Sequence, residues 1–276
     1  MTLLALRTGQ LAVDIDSEAG GSLARFTVGG IDILRRGRGP QGSCYPLVPY
    51  SNRIANGRFT FEGQEIFVPP NWRGLRHPMH GDGWAHPWSV VRRDEYRAEI
   101  VYEHDDRRGW PFRYRARQTF FLNEHELVAR VAVENLESRA VPAGLGLHPF
   151  FVRDPDCELL FHAEDVWLAD AEVLPTRSVT VPEAWDFEHG RRPDDVALDN
   201  CFAGWNGRAT LHWPSRNLRL DLGASSLFRH LVIYTPPGRP FFCVEPVSHA
   251  NGAIGRTRLE AGATLAGVVS FRVFQS

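Results

Sequence analysis

Two residues stand out as groups that could move protons. His148 lies in Gly144-Leu145-Gly146-Leu147-His148-Pro149-Phe150-Phe151, and Glu245 lies in Phe242-Cys243-Val244-Glu245-Pro246. The glycines before His148 allow close approach of backbone or ligand, and Pro149 is expected to fix a turn after it. A carboxylate at the end of an apolar strand has its pKa raised toward the range useful for proton transfer. The quieter reading of Glu245 is a strand-end carboxylate that accepts from a neighbouring Arg.

A second group gathers in residues 45–88, around Pro49-Tyr50-Ser51-Asn52-Arg53 and a loop, 69–88, crowded with Trp, Arg and His. Indole faces match the C–H faces of a sugar, while Arg, Asn and His supply hydrogen bonds to its hydroxyls. Loops of this kind on a rigid scaffold are where binding sites are usually carried. These residues indicate a pocket, not a reaction. His77, His80 and His86 suggest a metal at first sight, but their spacing matches neither H-E-x-x-H nor a Cys/His zinc pattern, so no metal site is expected. Asp199, in Leu198-Asp199-Asn200-Cys201-Phe202, is read from spacing alone as an Asx-turn or helix cap.

The elements that must position these groups are strands. Residues 58–61 and 64–68 read as a hairpin about Glu62-Gly63, and 11–15, 23–28 and 31–34 are strands separated by Gly-Gly turns. Residues 35–43 form a loop whose Arg run is expected to be a solvated face. Residues 88–92 and 98–103 make another pair, and 112–121 sets Phe112, Tyr114 and Ala116 against Arg113, Arg115 and Arg117 with period two. Residues 127–133, 159–162, 209–213, 218–222, 230–235, 241–245 and 264–274 continue the pattern, whereas 175–195 reads as an ordered loop. About sixteen short strands with almost no helix imply an all-β fold, a large antiparallel β-sandwich in a single domain over residues 1–276.

Composition narrows the function. Every one of the 31 basic residues is Arg, which excludes Schiff-base, pyridoxal-phosphate and P-loop chemistry, all of which need Lys. A net charge of -2 without a segregated basic cluster argues against nucleic acid. With no signal-peptide core and no span of about 18 to 20 apolar residues, a soluble, cytoplasmic protein without a membrane partner is expected. Cys44, Cys157, Cys201 and Cys243 are widely spaced and read as reduced, buried thiols.

Taken together, these stretches resemble the aldose 1-epimerase (galactose mutarotase) family. The resemblance is carried by PYSNRI with Gly57 and Phe59 after it, His80-Gly81, G-x-HPFF around His148, LDNCF around Asp199 and VEP around Glu245. It implies a galactose mutarotase-like super-sandwich that interconverts the anomers of a free sugar. Glu245 would be the base toward the anomeric hydroxyl and His148 the acid toward the ring oxygen. Arg53 and His80 would hold ring-side oxygens, and Asp199 would accept from sugar hydroxyls. No metal or organic cofactor is implied, and the chain is expected to act as a monomer or homodimer. Three departures bear on the substrate: Arg73 and Arg76 before His80, Phe150-Phe151 after the HP, and His249 and Asn251 after the EP. Arg73 and Arg76 leave open an anionic aldose, a 6-phosphate, sulfo- or uronic sugar. A non-catalytic carbohydrate-binding sandwich is the other alternative, and a glycosidase would need Asp199 and Glu245 as paired carboxylates.

Overall fold

The computed structural model describes residues 3–275, and among them the chain forms twenty-one strands, seven short 3-10 turns and no α-helix. All strand pairings are antiparallel, in sheets of eleven, eight and two strands. The two-stranded sheet is the expected hairpin: Arg58–Phe61 pairs with Gln64–Phe67 through Glu62 and Gly63, both at positive φ, as a tight hairpin turn requires.

The eleven- and eight-stranded sheets pack face to face, and large apolar side chains fill the space between them. Phe271 of the Thr264–Gln275 strand meets Phe26 of Ser22–Val28 edge to face at 6.1 Å and Phe151 of Gly146–Val152 at 6.4 Å. Tyr114–Leu122 keeps the period-two burial expected of a half-buried strand. The strands central to function are buried on both faces. In Cys44–Leu47, Gly146–Val152, His230–Tyr234 and Phe241–Val247, one face (Cys44, Leu147, Phe151, Leu231, Ile233, Phe242, Val244) joins the core between the sheets. The other face (Tyr45, Leu47, Phe150, Val232, Phe241, Cys243, Val247) forms a second, smaller apolar cluster. Loops cover that second face, and His148 and Glu245 belong to it by the alternation of side chains along a strand.

Several elements differ from expectation. Pro149 does not make a turn: Gly146–Val152 is a central strand, and Pro149 pairs with Cys44. Its missing N–H coincides with a gap in the ladder to Phe241–Val247, which is paired at Gly146 and again from Phe150. Asp199 is neither an Asx-turn nor a cap but opens the strand Asp199–Ala203, central in the same sheet. Residues 175–195 contain a strand, Pro175–Thr180, at the sheet edge beside Asp165–Ala169. Its largely exposed side chains carry no apolar alternation, so the pattern of a buried strand is missing. All four cysteines are free and buried, as expected.

Candidate active site

Gly146 pairs with Val247 and Phe150 with Cys243, so His148 stands opposite Glu245 on the loop-covered face. His148 Nε2 and Glu245 Oε1 are 3.2 Å apart, and both residues are buried. On the other neighbouring strand Tyr45 pairs with His148, and the two rings stack at 4.7 Å. Phe150 lies nearly parallel to the imidazole at 4.4 Å, 11° from its plane. Tyr45 and Phe150 are themselves 6.0 Å apart, so the two rings flank the imidazole on adjacent sides. His148 Nδ1 and Glu245 Oε2 have no hydrogen-bond partner among the described residues. Buried polar atoms left unsatisfied are costly, and a catalytic role is one of the reasons for keeping them.

Burial sets the proton affinity of the pair. It raises the Glu245 carboxyl well above the usual carboxylate range, with Asp199 reinforcing and Arg53 opposing. It pushes His148 down to about 3, and the charge of Arg35 acts in the same direction. Both shifts favour the neutral pair, with its proton on the carboxyl side. The quieter alternative, a Glu245 bound to a neighbouring Arg, is not what forms.

The structure brings Arg53, His80 and Asp199 to the same pocket. Arg53 Nη2 lies 3.6 Å from Asp199 Oδ2, an open ion pair with capacity left for further hydrogen bonds. Burial raises Asp199, partly offset by Arg53. The Asn52 N–H donates to His80 Nδ1 at 3.1 Å, which leaves the proton of a neutral His80 on Nε2 as a donor. Burial, then the charges of His148 and Arg53, keep His80 well below the ordinary imidazole value. The two loops also interlock through their backbones, with His80 N–H donating to Asn52 O at 3.0 Å. Asn71 clamps the next turn from its side chain, bonding Met79 in both directions and donating to Gly81 O.

The pocket has a volume of about 280 Å³, close to the lower end of ligand sites, and its aromatic walls include Trp72, Tyr234 and Phe241. The three loop histidines part company. His80 lines the pocket, His77 accepts the Asn56 N–H at 2.9 Å, and His86 lies exposed against Tyr102. Among the described residues the donor set compact enough for a cation is His148, Cys243 and Glu245, whose ligand atoms lie within 4.8 Å of one another. That set contains His148 and Glu245 and none of the three loop histidines. Arg73 and Arg76 are exposed and do not line the pocket. Arg76 is held by Asn56 at 2.6 Å and faces Glu172 at 3.4 Å, so the acidic partner absent from residues 69–81 comes from a distant segment.

Sequence reasoning did not find several supports. Asp82, just past His80-Gly81, meets His104 Nδ1 at 2.6 Å and accepts from Tyr114. His104 Nε2 lies 2.8 Å from the Trp110 carbonyl, which can only accept, so both ring nitrogens are donors and the ring is an imidazolium. Burial, the largest single influence, opposes the charge, but Asp82, the Trp110 carbonyl and Asp106 together raise its pKa. His249 Nε2 accepts the Ser51 N–H at 3.2 Å and its Nδ1 donates to Ala250 O at 2.9 Å. Its ring fills the space where a Cβ on Gly144 would approach to 2.3 Å. The available signals were a polar residue directly after His80-Gly81 and a His in the tail after Glu245.

Comparison with known proteins follows the same outline. A family model described as aldose 1-epimerase matches residues 3–272. YphB of Escherichia coli K12, whose name carries no activity, is 30% identical over 262 residues, covering 91% of this chain and 89% of its own. YihR of the same organism, likewise without an assigned activity, is 26% identical over 228 residues, covering 78% and 74%. A solved E. coli K12 structure, described as a candidate aldose 1-epimerase, superposes with a TM-score of 0.93 at 30% identity, covering 100% and 99% of the two chains. A GalM/aldose epimerase homologue from C. elegans superposes at 0.85 with 16% identity over 99% of each chain, a likeness of fold.

Proposed function

The chain belongs to the aldose 1-epimerase family, and we propose that it is a mutarotase that interconverts the α and β anomers of a free aldose. The observation that carries this reading is the buried His148–Glu245 contact of 3.2 Å at the floor of a sugar-sized pocket. Ring opening needs one proton removed from the anomeric hydroxyl and one delivered to the ring oxygen. A pair sharing one proton suits both tasks. Moving that proton from Glu245 to His148 gives a carboxylate and an imidazolium. The carboxylate takes the proton of O1–H as the C1–O1 double bond forms, and the imidazolium protonates O5 as C1–O5 breaks. Rotation about C1–C2 turns the other face of the aldehyde toward O5. The same two groups, with their protons exchanged, then close the ring as the opposite anomer. Proton donors and acceptors matched in this way each contribute about 10²- to 10⁴-fold.

Arg53 and the Nε2–H of His80 would donate to ring-side oxygens, and Asp199 would accept from hydroxyls. Trp72, Tyr45 and Phe150, all lining the pocket, would offer apolar faces to sugar C–H groups. The sequence of proton transfers needs neither a metal nor an organic cofactor, and the protein would act in the cytoplasm as a monomer or homodimer. Among the described residues no helix is long and apolar enough to cross a membrane. The deciding experiment is polarimetry of freshly dissolved α-glucose and α-galactose with and without the protein. Catalysed approach to the anomeric equilibrium supports the reading. Sugar binding without acceleration would instead support a non-catalytic binding sandwich.

A further inference from the structure

We propose that His148, Glu245 and Cys243 together form a binding site for Zn2+, and that zinc held there blocks the pocket. The inhibition rests on the mutarotase reading, whereas the binding of the metal does not.

Cys243 has no part in the proton transfers, yet the sheet brings it to the groups that do. It lies two residues before Glu245 on Phe241–Val247, so both side chains leave the same face of that strand. Phe150 pairs with Cys243, which sets His148 opposite the carboxylate and diagonal to the thiol. One ligand atom from each of the three lies within 4.8 Å of the other two. His148 Nε2 and Glu245 Oε1, at 3.2 Å, already stand at about the edge length of a tetrahedron built on zinc bonds of about 2.0 Å. The thiol sulfur has only about 1 Å to close to become the third corner. A second observation points to a ligand: Glu245 Oε2 has no partner among the described residues, although Glu245 is only 2% exposed. The carboxylate therefore has a free oxygen for a cation.

Charge and donor type select the ion. A thiolate and a carboxylate supply two negative charges and the neutral imidazole supplies none, so Zn2+ gives a complex without net charge. Such a complex suits a buried site far better than a charged one. Sulfur and imidazole donors favour zinc over Mg2+ and Ca2+, which take oxygen ligands in larger number. His148 and Glu245 line the pocket, so the fourth position opens on it and the metal enters where the sugar does. With both groups bound to zinc, neither an acid nor a base remains, and metal and sugar exclude one another. The metal-free protein is thus the active form, the reverse of a cofactor's role. Exposed pairs such as His162–Glu188 and His212–Glu158 offer two ligands each without a thiol, and are where zinc would bind adventitiously.

The test titrates metal-free protein with Co2+, a spectroscopic stand-in for zinc, and follows mutarotation with added Zn2+. Wild type should show the near-ultraviolet thiolate-to-cobalt charge-transfer band, removed by Zn2+. Cys243→Ser and Cys243→Ala should lack the band while keeping mutarotation near the wild-type rate. Zn2+ should inhibit wild type competitively with sugar, reversibly with EDTA, and Mg2+ should not. Each variant should need at least about 10- to 100-fold more zinc, the loss that follows even from disturbing a residue behind a ligand. Absence of the band in wild type, or its persistence in both variants, overturns the proposal. So does zinc inhibition that survives both substitutions, which would place the metal on the exposed pairs. If no sugar is interconverted but the cobalt band appears and is lost with Cys243, the zinc site stands and the mutarotase reading falls.

Discussion

At the scale of single residues, the proposed proton-transfer pair makes a specific demand on pH. Glu245 is pushed up by burial and by Asp199, while His148 is pushed down to about 3 by burial and by Arg35. The pair carries one proton between these limits, loses it as pH rises through the raised Glu245 value, and gains a second only near the depressed His148 value. The kcat/KM profile should therefore show no acid limb as pH falls below the ordinary imidazole value of 6.5 until it nears the depressed His148 value, with its other limb where the raised Glu245 carboxyl loses its proton. A decline of one log unit per pH unit starting near 6.5 would mean that an ordinary imidazole governs the rate. The second expectation concerns metal. Although His148, Cys243 and Glu245 are close enough to hold a cation, each proton step is already assigned to a side chain. Prolonged treatment with EDTA should leave the rate unchanged, and a loss reversed by adding a divalent ion would assign those three residues a different role.

At the scale of elements, the site depends on loops held to a rigid sheet by close backbone contact. Gly81 has φ of +65°, and a Cβ there would fall 2.0 Å from the Val48 carbonyl oxygen. Gly81→Ala is expected to cost at least about 2 kcal/mol, from the left-handed conformation and the displaced backbone, and to raise KM through His80. Chemical denaturation with kinetics in parallel would check it; a variant of unchanged stability and KM would mean that the loop adapts freely. The same elements explain what the sequence could and could not reveal. The hairpin around Glu62-Gly63 was legible because its turn chemistry is local, and Tyr114–Leu122 because one face is wetter than the other. Gly146–Val152 and Asp199–Ala203 were misread because strands buried on both faces show no polar alternation, and because Pro149 and the Asp199-Asn200 pair imitate turn signals. His148 and Glu245 could be singled out by residue type and motif. The Asp82–His104 pair, the His249 clamp on Ser51 and the stacking of the Arg35 guanidinium on Phe150 could not be, since each depends on segments distant in sequence.

At the scale of the whole molecule, burying titratable groups trades against stability. His80, His148 and His249 are all lowered by burial, His249 to about 4, from an ordinary value of 6.5. A histidine kept neutral in the fold contributes stability above the unfolded value, and that stability is lost as pH falls from about 6.5 toward the folded value. Glu245 acts in the opposite sense. Its folded pKa is raised, so the stability present below its ordinary value of 4.5 is lost as pH rises toward the folded value. Glu245→Gln removes that loss. The variant should melt above wild type at pH 8, with the difference shrinking toward pH 4.5. A deficit that is the same at both pH values would mean that the carboxyl is not held protonated by burial.

The same substitution gives the most direct test of the central claim, that this fold opens and recloses a sugar ring through His148 and Glu245. Polarimetric mutarotation of an accepted aldose should be slowed by about 10²- to 10⁴-fold in Glu245→Gln and in His148→Asn, with both variants folded and still binding sugar. A near-wild-type rate in either variant would contradict the claim and take that residue out of the reaction.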